Sequence, residues 1–188
     1  MTLLVVGIEV PQDVSGFTPS LVMLTLQELF PDFIHYIIAF LLIAALWVIH
    51  HMQFHKIHYV DHTLLWMTIG SLLFVVLIPF STNLVGDFPT IPLCSFIFEL
   101  NLLVTSSLFY LQWRYATVNR HLIDPLISEK IIRAGKQRAA VIPVLSAAGI
   151  VLAVAGIPWS TLVYLLAPLV FLVIHKYGHK FRGESWGF

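Results

Sequence analysis

Residues 64–84 read LLWMTIGSLLFVVLIPFSTNL, and no Lys, Arg, Asp or Glu interrupts them. As one helix they rise about 31 Å at 1.5 Å per residue, against a bilayer hydrocarbon core of about 30 Å. Only Pro79 breaks the run. Working outward, four more apolar runs come close to that length: Phe33–Ile49, Leu93–Trp113, Ala139–Ile157 and Leu162–Ile174, the last two paired around Pro158. Full spans are expected at 31–52, 63–85, 93–113, 139–157 and 160–176. The fold class is therefore all-α membrane protein, in one domain over 1–188.

Composition agrees. The 188 residues are 59% hydrophobic and 11% charged, with a mean hydropathy of +0.90. A soluble domain is about a quarter charged. This chain has too little polar surface to cover a globule in water, so the lipid bilayer is its expected solvent and partner. Ten basic residues balance ten acidic ones, so no global basic excess points to nucleic acid. Cys94 is the one cysteine and lies in an apolar run, which excludes an intrachain disulfide framework.

The charges orient the spans. Lys56 falls between the first two; Arg114, Arg120, Lys130, Arg133, Lys136 and Arg138 between the third and fourth; Lys176, Lys180 and Arg182 in the tail. The opposite loops hold no Lys or Arg and carry Asp13, Glu28, Asp32 and Asp87. The positive-inside rule then puts the basic loops and the C-terminus in the cytoplasm of a multi-pass cell-membrane protein.

By that topology the chain begins outside. MTLLVVGIEV, residues 1–10, is apolar and stops at Pro11. Ten residues reach about 15 Å, half a bilayer core. No positive n-region or small-x-small cleavage site marks a signal peptide. The stretch reads as the outer half of a helix, followed by an outer linker at 11–30 whose SLVMLTLQELF segment suggests a short interfacial helix.

Two groups of residues stand out for chemistry. His51, His55, His58 and His62 are spaced four, three and four. On one continuous helix they form a stripe, a spacing that a metal or haem site uses. The stretch also sits at an expected interface beside Trp47 and Tyr59, where polar aromatics belong, and this packing reading is preferred. Inside the third span lie Glu99 and Asn101. An intramembrane carboxylate is a functional candidate by default. With no basic residue expected at its depth, Glu99 is read first as helix-to-helix glue, partnered by hydroxyls or amides, together with Asn101 and Thr105.

TLLVVGIEVP, ALWVIHH and VDHTLLWMTIGSLLFVVLIPFSTNL, in this order and spacing, resemble the transmembrane protein 175 family of potassium-permeable channels of endolysosomes and prokaryotes. The resemblance covers most of the chain; the last two spans match in hydropathy alone. It implies a six-helix repeat, present once here as in the prokaryotic members, assembled as a homotetramer. It also implies a central pore lined by the first helix of each subunit, with no re-entrant filter. A hydroxyl layer then falls on Thr2 and aliphatic layers on Leu3 and Val6, with Glu9 at the outer end. Trp47 and His50, with His51 beside them, match the family's inner-end packing positions. The family's Phe-Ser-Asp segment and its constriction residue are absent, as though about fifteen residues were missing from the start; a misplaced start codon is the favoured cause.

The resemblance implies a passive potassium-permeable cation channel, not an enzyme, with K+ as permeant ion and no cofactor. Two other classes stay open at this point. One is a membrane metal or haem oxidoreductase using the His51–His62 stripe. The other is a non-conducting membrane scaffold.

Overall fold

The computed structural model describes residues 23–24, 27, 29–157, 160–167 and 170. Four long helices follow one another: α1 (Phe30–Phe54), α2 (His62–Asp87), α3 (Pro92–Thr117) and α4 (Glu129–Val154), with short 3-10 turns at Val118–Arg120 and Ser160–Leu165. Each of the four is long and apolar enough to cross a membrane. The connections at 55–61, 88–91 and 118–128 are too short for anything but up-and-down neighbours. Proline opens α1 and α3, at Pro31 and Pro92, where the missing N–H costs nothing. Asp61 caps α2, accepting the backbone N–H of Leu64 at 2.8 Å.

The expected bounds differ most at α4. The run Ala139–Ile157 marks its apolar part, but the helix starts at Glu129 and ends at Val154. Lys130, Arg133, Lys136 and Arg138 therefore stand on helical turns and not in a loop. The extension is amphipathic: Ile132 is buried while Lys130 and Arg133 are exposed. A hydropathy criterion for a membrane span does not register such turns. Of the segment expected at 160–176, the described residues form the 3-10 turn Ser160–Leu165 and helical positions 166, 167 and 170. Residues 1–10 and nearly all of the 11–30 linker lie outside the described residues.

α2 is inverted relative to a helix in water. Leu65, Ile69, Leu72, Val76 and Phe80 are exposed on one side. Leu64, Ser71, Ile78 and Val85 are buried on the other, at seven-residue steps, with Ser81 and Thr82 beside them. Lipid is as apolar as leucine, so such a helix turns its small and polar residues toward its neighbours.

α3 is the hub, packing against both α2 and α4. Glu99 meets Gly149 and Trp113 meets Gly135, so closely that a Cβ on either glycine would overlap the facing side chain. Both pairs obey one antiparallel register, which also brings Ser106 level with Ile142. These three levels repeat at seven residues on each helix. A large side chain on one helix thus faces a small one on the other at every level, as in knobs-into-holes packing.

Candidate functional site

The expected pore residues Thr2, Leu3, Val6 and Glu9 lie outside the described residues. The described helices hold two polar systems within the expected membrane depth and a third at their basic end.

The first surrounds Glu99. Its side chain is wholly buried, on α3, and rests on the bare backbone of Gly149 in α4. Tyr164, from the 160–165 turn, donates its hydroxyl to Glu99 Oε2. The Tyr164 oxygen also lies 3.0 Å from Ser146 Oγ. A phenol has one proton to give, so Ser146 is the donor in that second bond. Phe98 presents its ring edge-on to Tyr164, with centroids 6.0 Å apart. Three segments distant in sequence meet here through one carboxyl group. Glu99 Oε1 has no hydrogen-bond partner among the described residues.

The second system ties α2 to α3. Asn101 Nδ2 donates to Ser81 Oγ at 3.2 Å. Gln112 Nε2 donates to Ser71 Oγ at 3.0 Å and to the Met67 carbonyl at 3.1 Å. The two amide-to-serine bridges are about 15 Å apart along the helices, given 1.5 Å per residue. They fix the register of two helices whose lipid-like surfaces would otherwise slide. Asn101 thus joins a helix-to-helix bond as expected, whereas Thr105 turns back to the carbonyl of Asn101 in its own helix at 2.7 Å.

The third closes the basic end. The backbone N–H groups of His58 and Tyr59 donate to the Leu122 carbonyl, at 2.9 and 3.3 Å. Arg120 ties the α3–α4 connection to itself through the carbonyls of Pro125 and Ile127 and a 2.5 Å ion pair with Glu129. Tyr115 Oη donates to Asp61 Oδ2 at 2.5 Å. That bond, with the Leu64 N–H, holds the Asp61 carboxyl below its ordinary value of 3.8. A depressed acid stabilises the fold when ionised: the contribution is present above the ordinary carboxylate range and disappears as pH falls through the lowered value. The melting temperature of the protein in detergent is therefore expected to fall on acidification below about pH 4, with a smaller fall in Asp61→Ala. Equal acid profiles in the two proteins would refute this role.

His50 lies against Phe54, with centroids 4.2 Å apart, and against Trp47 at 6.1 Å, and it meets the edge of Phe109 at 5.4 Å. Trp47 itself is 65% exposed and His51 is exposed, so these side chains are presented on the outside of the described bundle. The histidine stripe does not exist as a line: α1 ends at Phe54, His55 is its C-cap, and His62 opens α2. His62 Nε2 accepts from Trp66 Nε1 at 2.8 Å. Among the described residues no group of three or more His, Cys, Asp or Glu is placed to hold a metal ion.

Sequence reasoning singled out Glu99 and Asn101. It missed Tyr164, Ser146, Gly149, Ser71, Ser81 and Gln112, each an ordinary residue in an apolar run. Glycines at 135 and 149, fourteen apart and so on one face of a helix, are the one signal that could have located the α3–α4 seam.

The sequence profile of the family described as endosomal/lysosomal potassium channel TMEM175 matches residues 1–79. A potassium channel of Streptomyces collinus is 27% identical over 144 residues, covering 74% of this chain and 68% of that protein. The rat endosomal/lysosomal proton channel TMEM175 is 28% identical over 103 residues, 55% of this chain but only 21% of its own length. The fold is similar to the crystal structure of a lysosomal potassium-selective channel TMEM175 homolog from Chamaesiphon minutus. That match has a TM-score of 0.76 at 25% identity, over 92% of this chain and 89% of the other. Sequence profile and fold point the same way: the chain resembles the TMEM175 family, the profile over residues 1–79 and the fold over most of the chain.

Proposed function

We propose that this chain is one subunit of a passive, potassium-permeable cation channel. The observation that carries the reading is the likeness, over 92% of the chain, to a solved potassium-selective channel homolog. The profile match over residues 1–79 supports it, because it includes the stretch from Thr2 to Glu9. Four copies would surround a central pore, each contributing that stretch as a pore helix within a six-helix repeat. A ring of Thr2 hydroxyls replaces part of the hydration shell of a potassium ion, at less cost than for the more tightly hydrated sodium ion. Rings of Leu3 and Val6 narrow and dry the path, and Glu9 raises the local cation concentration at its outer mouth. K+ is the permeant ion; the flow needs neither cofactor nor chemistry.

Lys56, Arg114, Arg120 and Lys130 lie on or beside the ends of α1, α3 and the start of α4 that meet at one end of the bundle. Asp87 closes α2 at the other. This split supports placing the basic end in the cytoplasm; the C-terminus joins it there through the further crossing that the sequence leads one to expect at 160–176. Trp47, His50 and His51 then stand near the inner end, where they pack or gate the base of the pore.

The test is potassium against sodium flux from liposomes that hold the purified protein. Potassium-preferring flux is expected, and in Thr2→Val the potassium-to-sodium ratio should move toward one. An unchanged ratio would remove Thr2 from the ion path. Absence of any flux would favour the scaffold reading for this chain.

A further inference from the structure

Glu99 is the one charged residue of α3 between Pro92 and Trp113, and its side chain is fully buried. Among the described residues its carboxyl bonds to Tyr164 and pairs with no Lys, Arg or His. Its second oxygen, Oε1, has no hydrogen-bond partner among them. The elements packed around it supply no fixed cation. α4 carries no charged side chain from Ala139 to Val154, and Arg138 lies eleven residues before Gly149, about 16 Å along the helix. α2 brings Asp87, exposed and acidic; α1 brings His35, buried in its second turn; the 160–165 turn brings Tyr164. An isolated carboxylate buried in this way is far costlier than a neutral group, so it takes up a proton instead. The bonds in place suit the neutral acid. Tyr164 donates to Oε2, which accepts in either form of the carboxyl, and Oε1 is left to carry the proton.

What keeps water from Glu99 on one side is a short segment. Ser160–Leu165 is a 3-10 turn of six residues. Ser160 Oγ and Thr161 Oγ1, in the same turn, are also buried without a hydrogen-bond partner among the described residues. Lifting the turn into water satisfies both hydroxyls, which offsets part of the packing lost. Glu99 stands seven residues from the start of α3, about 10 Å from the end opposite the basic one, so water at that end reaches it once the turn lifts.

We propose that Glu99 is a proton-binding site that latches this turn: the proton stays on the carboxyl while Tyr164 is seated, and it passes to water only when the 160–165 turn lifts from α3 and α4. Lifting and ionisation are one step. The proton leaves as hydronium, the carboxylate is hydrated in place, and the Tyr164–Glu99 bond is exchanged for bonds to water. Raising the pH therefore favours the lifted turn, and acidification the seated one. The site requires no conduction, so it stands or falls separately from the channel reading.

Infrared spectroscopy of the protein in lipid bilayers tests the bound proton. At about pH 7, where exposed Asp and Glu are ionised, wild type is expected to show the C=O stretching band of a protonated carboxyl group, and Glu99→Gln to lack it. Tyr164→Phe keeps the carboxyl and removes its donor, so the band should persist at higher frequency; this variant reports on the site if Glu99→Gln fails to fold. A wild type without the band, or a band that neither substitution alters, would overturn the proposal. The latch is read by amide exchange at residues 160–165. One proton released per opening makes the opening constant rise about tenfold per pH unit above the ordinary carboxylate range, on top of the intrinsic increase that Glu99→Gln shows. Equal slopes in wild type and Glu99→Gln would overturn the latch. Loss of the extra slope in His35→Gln would assign the titration to the histidine and overturn it also.

Discussion

Replacing Gly149 by alanine is expected to destabilise the bundle by about 2 kcal/mol or more, in the sense opposite to helix propensity. An alanine in a helix interior normally gains about 1 kcal/mol over glycine. At Gly149 the new Cβ would overlap the Glu99 carboxyl group. Glu99 has little freedom to yield, because Tyr164 donates to one of its oxygens and the Phe98 ring backs Tyr164. Moving the carboxyl breaks that bond and leaves two buried polar groups unsatisfied, at about 1–3 kcal/mol each. Valine at the same place should be worse. Gly70 in α2 supplies the control, since nothing lies within 4 Å of a Cβ built there; Gly70→Ala should hold or raise stability. The measurement is the unfolding temperature in detergent for the three variants and for the pair Glu99→Ala with Gly149→Ala. Glu99→Ala frees the space, so the double substitution should cost less than the sum of the singles. A Gly149→Ala protein that melts like wild type would show that the carboxyl does not depend on this seat.

Why the spans were legible and the seam was not follows from the same physics. A bilayer imposes its thickness on every crossing helix, so residues 64–84 and 93–113 announce themselves by length and hydropathy, and the cores of α2 and α3 fall on them. Helix contacts inside lipid carry no such hydrophobic signal, because a leucine facing a neighbour and a leucine facing lipid look alike. Glu99 was visible as an ionisable residue in an apolar run. Its partner was not: Tyr164 is 65 positions away, and a tyrosine in a hydrophobic stretch reads as packing. The first ten residues of α4 read as a basic loop because Lys130, Arg133, Lys136 and Arg138 outweigh Ile132 in any hydropathy window. The His51–His62 spacing failed for a local reason: the pattern assumed a helix through residues 55–61, where the chain instead leaves α1, bonds to Leu122 and is restarted by the Asp61 cap.

Trp113→Ala is expected to cost about 3–5 kcal/mol, the range for removing a fully buried large aromatic, and to loosen the basic end first. Trp113 is 2% exposed. Its Nε1 donates to the Ile132 carbonyl at 3.1 Å, and its ring lies on Gly135 at the lowest level of the α3–α4 seam. One turn beyond it, Ala116 joins Leu64, Leu122, Ile123 and Ile132 in a small apolar cluster under the 118–128 connection. An alanine at 113 takes away the plate that this cluster and the start of α4 rest on. Trp113→Phe keeps part of the plate and loses the indole bond, so about 1–2 kcal/mol is expected. Glu99 lies fourteen residues back along α3, about 21 Å away, beyond the range at which independent sites usually couple. Amide exchange in Trp113→Ala should therefore quicken in residues 118–135 and stay near wild type around Glu99 and Gly149. Uniform quickening along the whole of α3 would mean that the seam melts as one unit. In that case the large-to-small matching at the three levels acts cooperatively, and Trp113→Ala combined with Gly149→Ala should depart from additivity by well over about 0.5 kcal/mol.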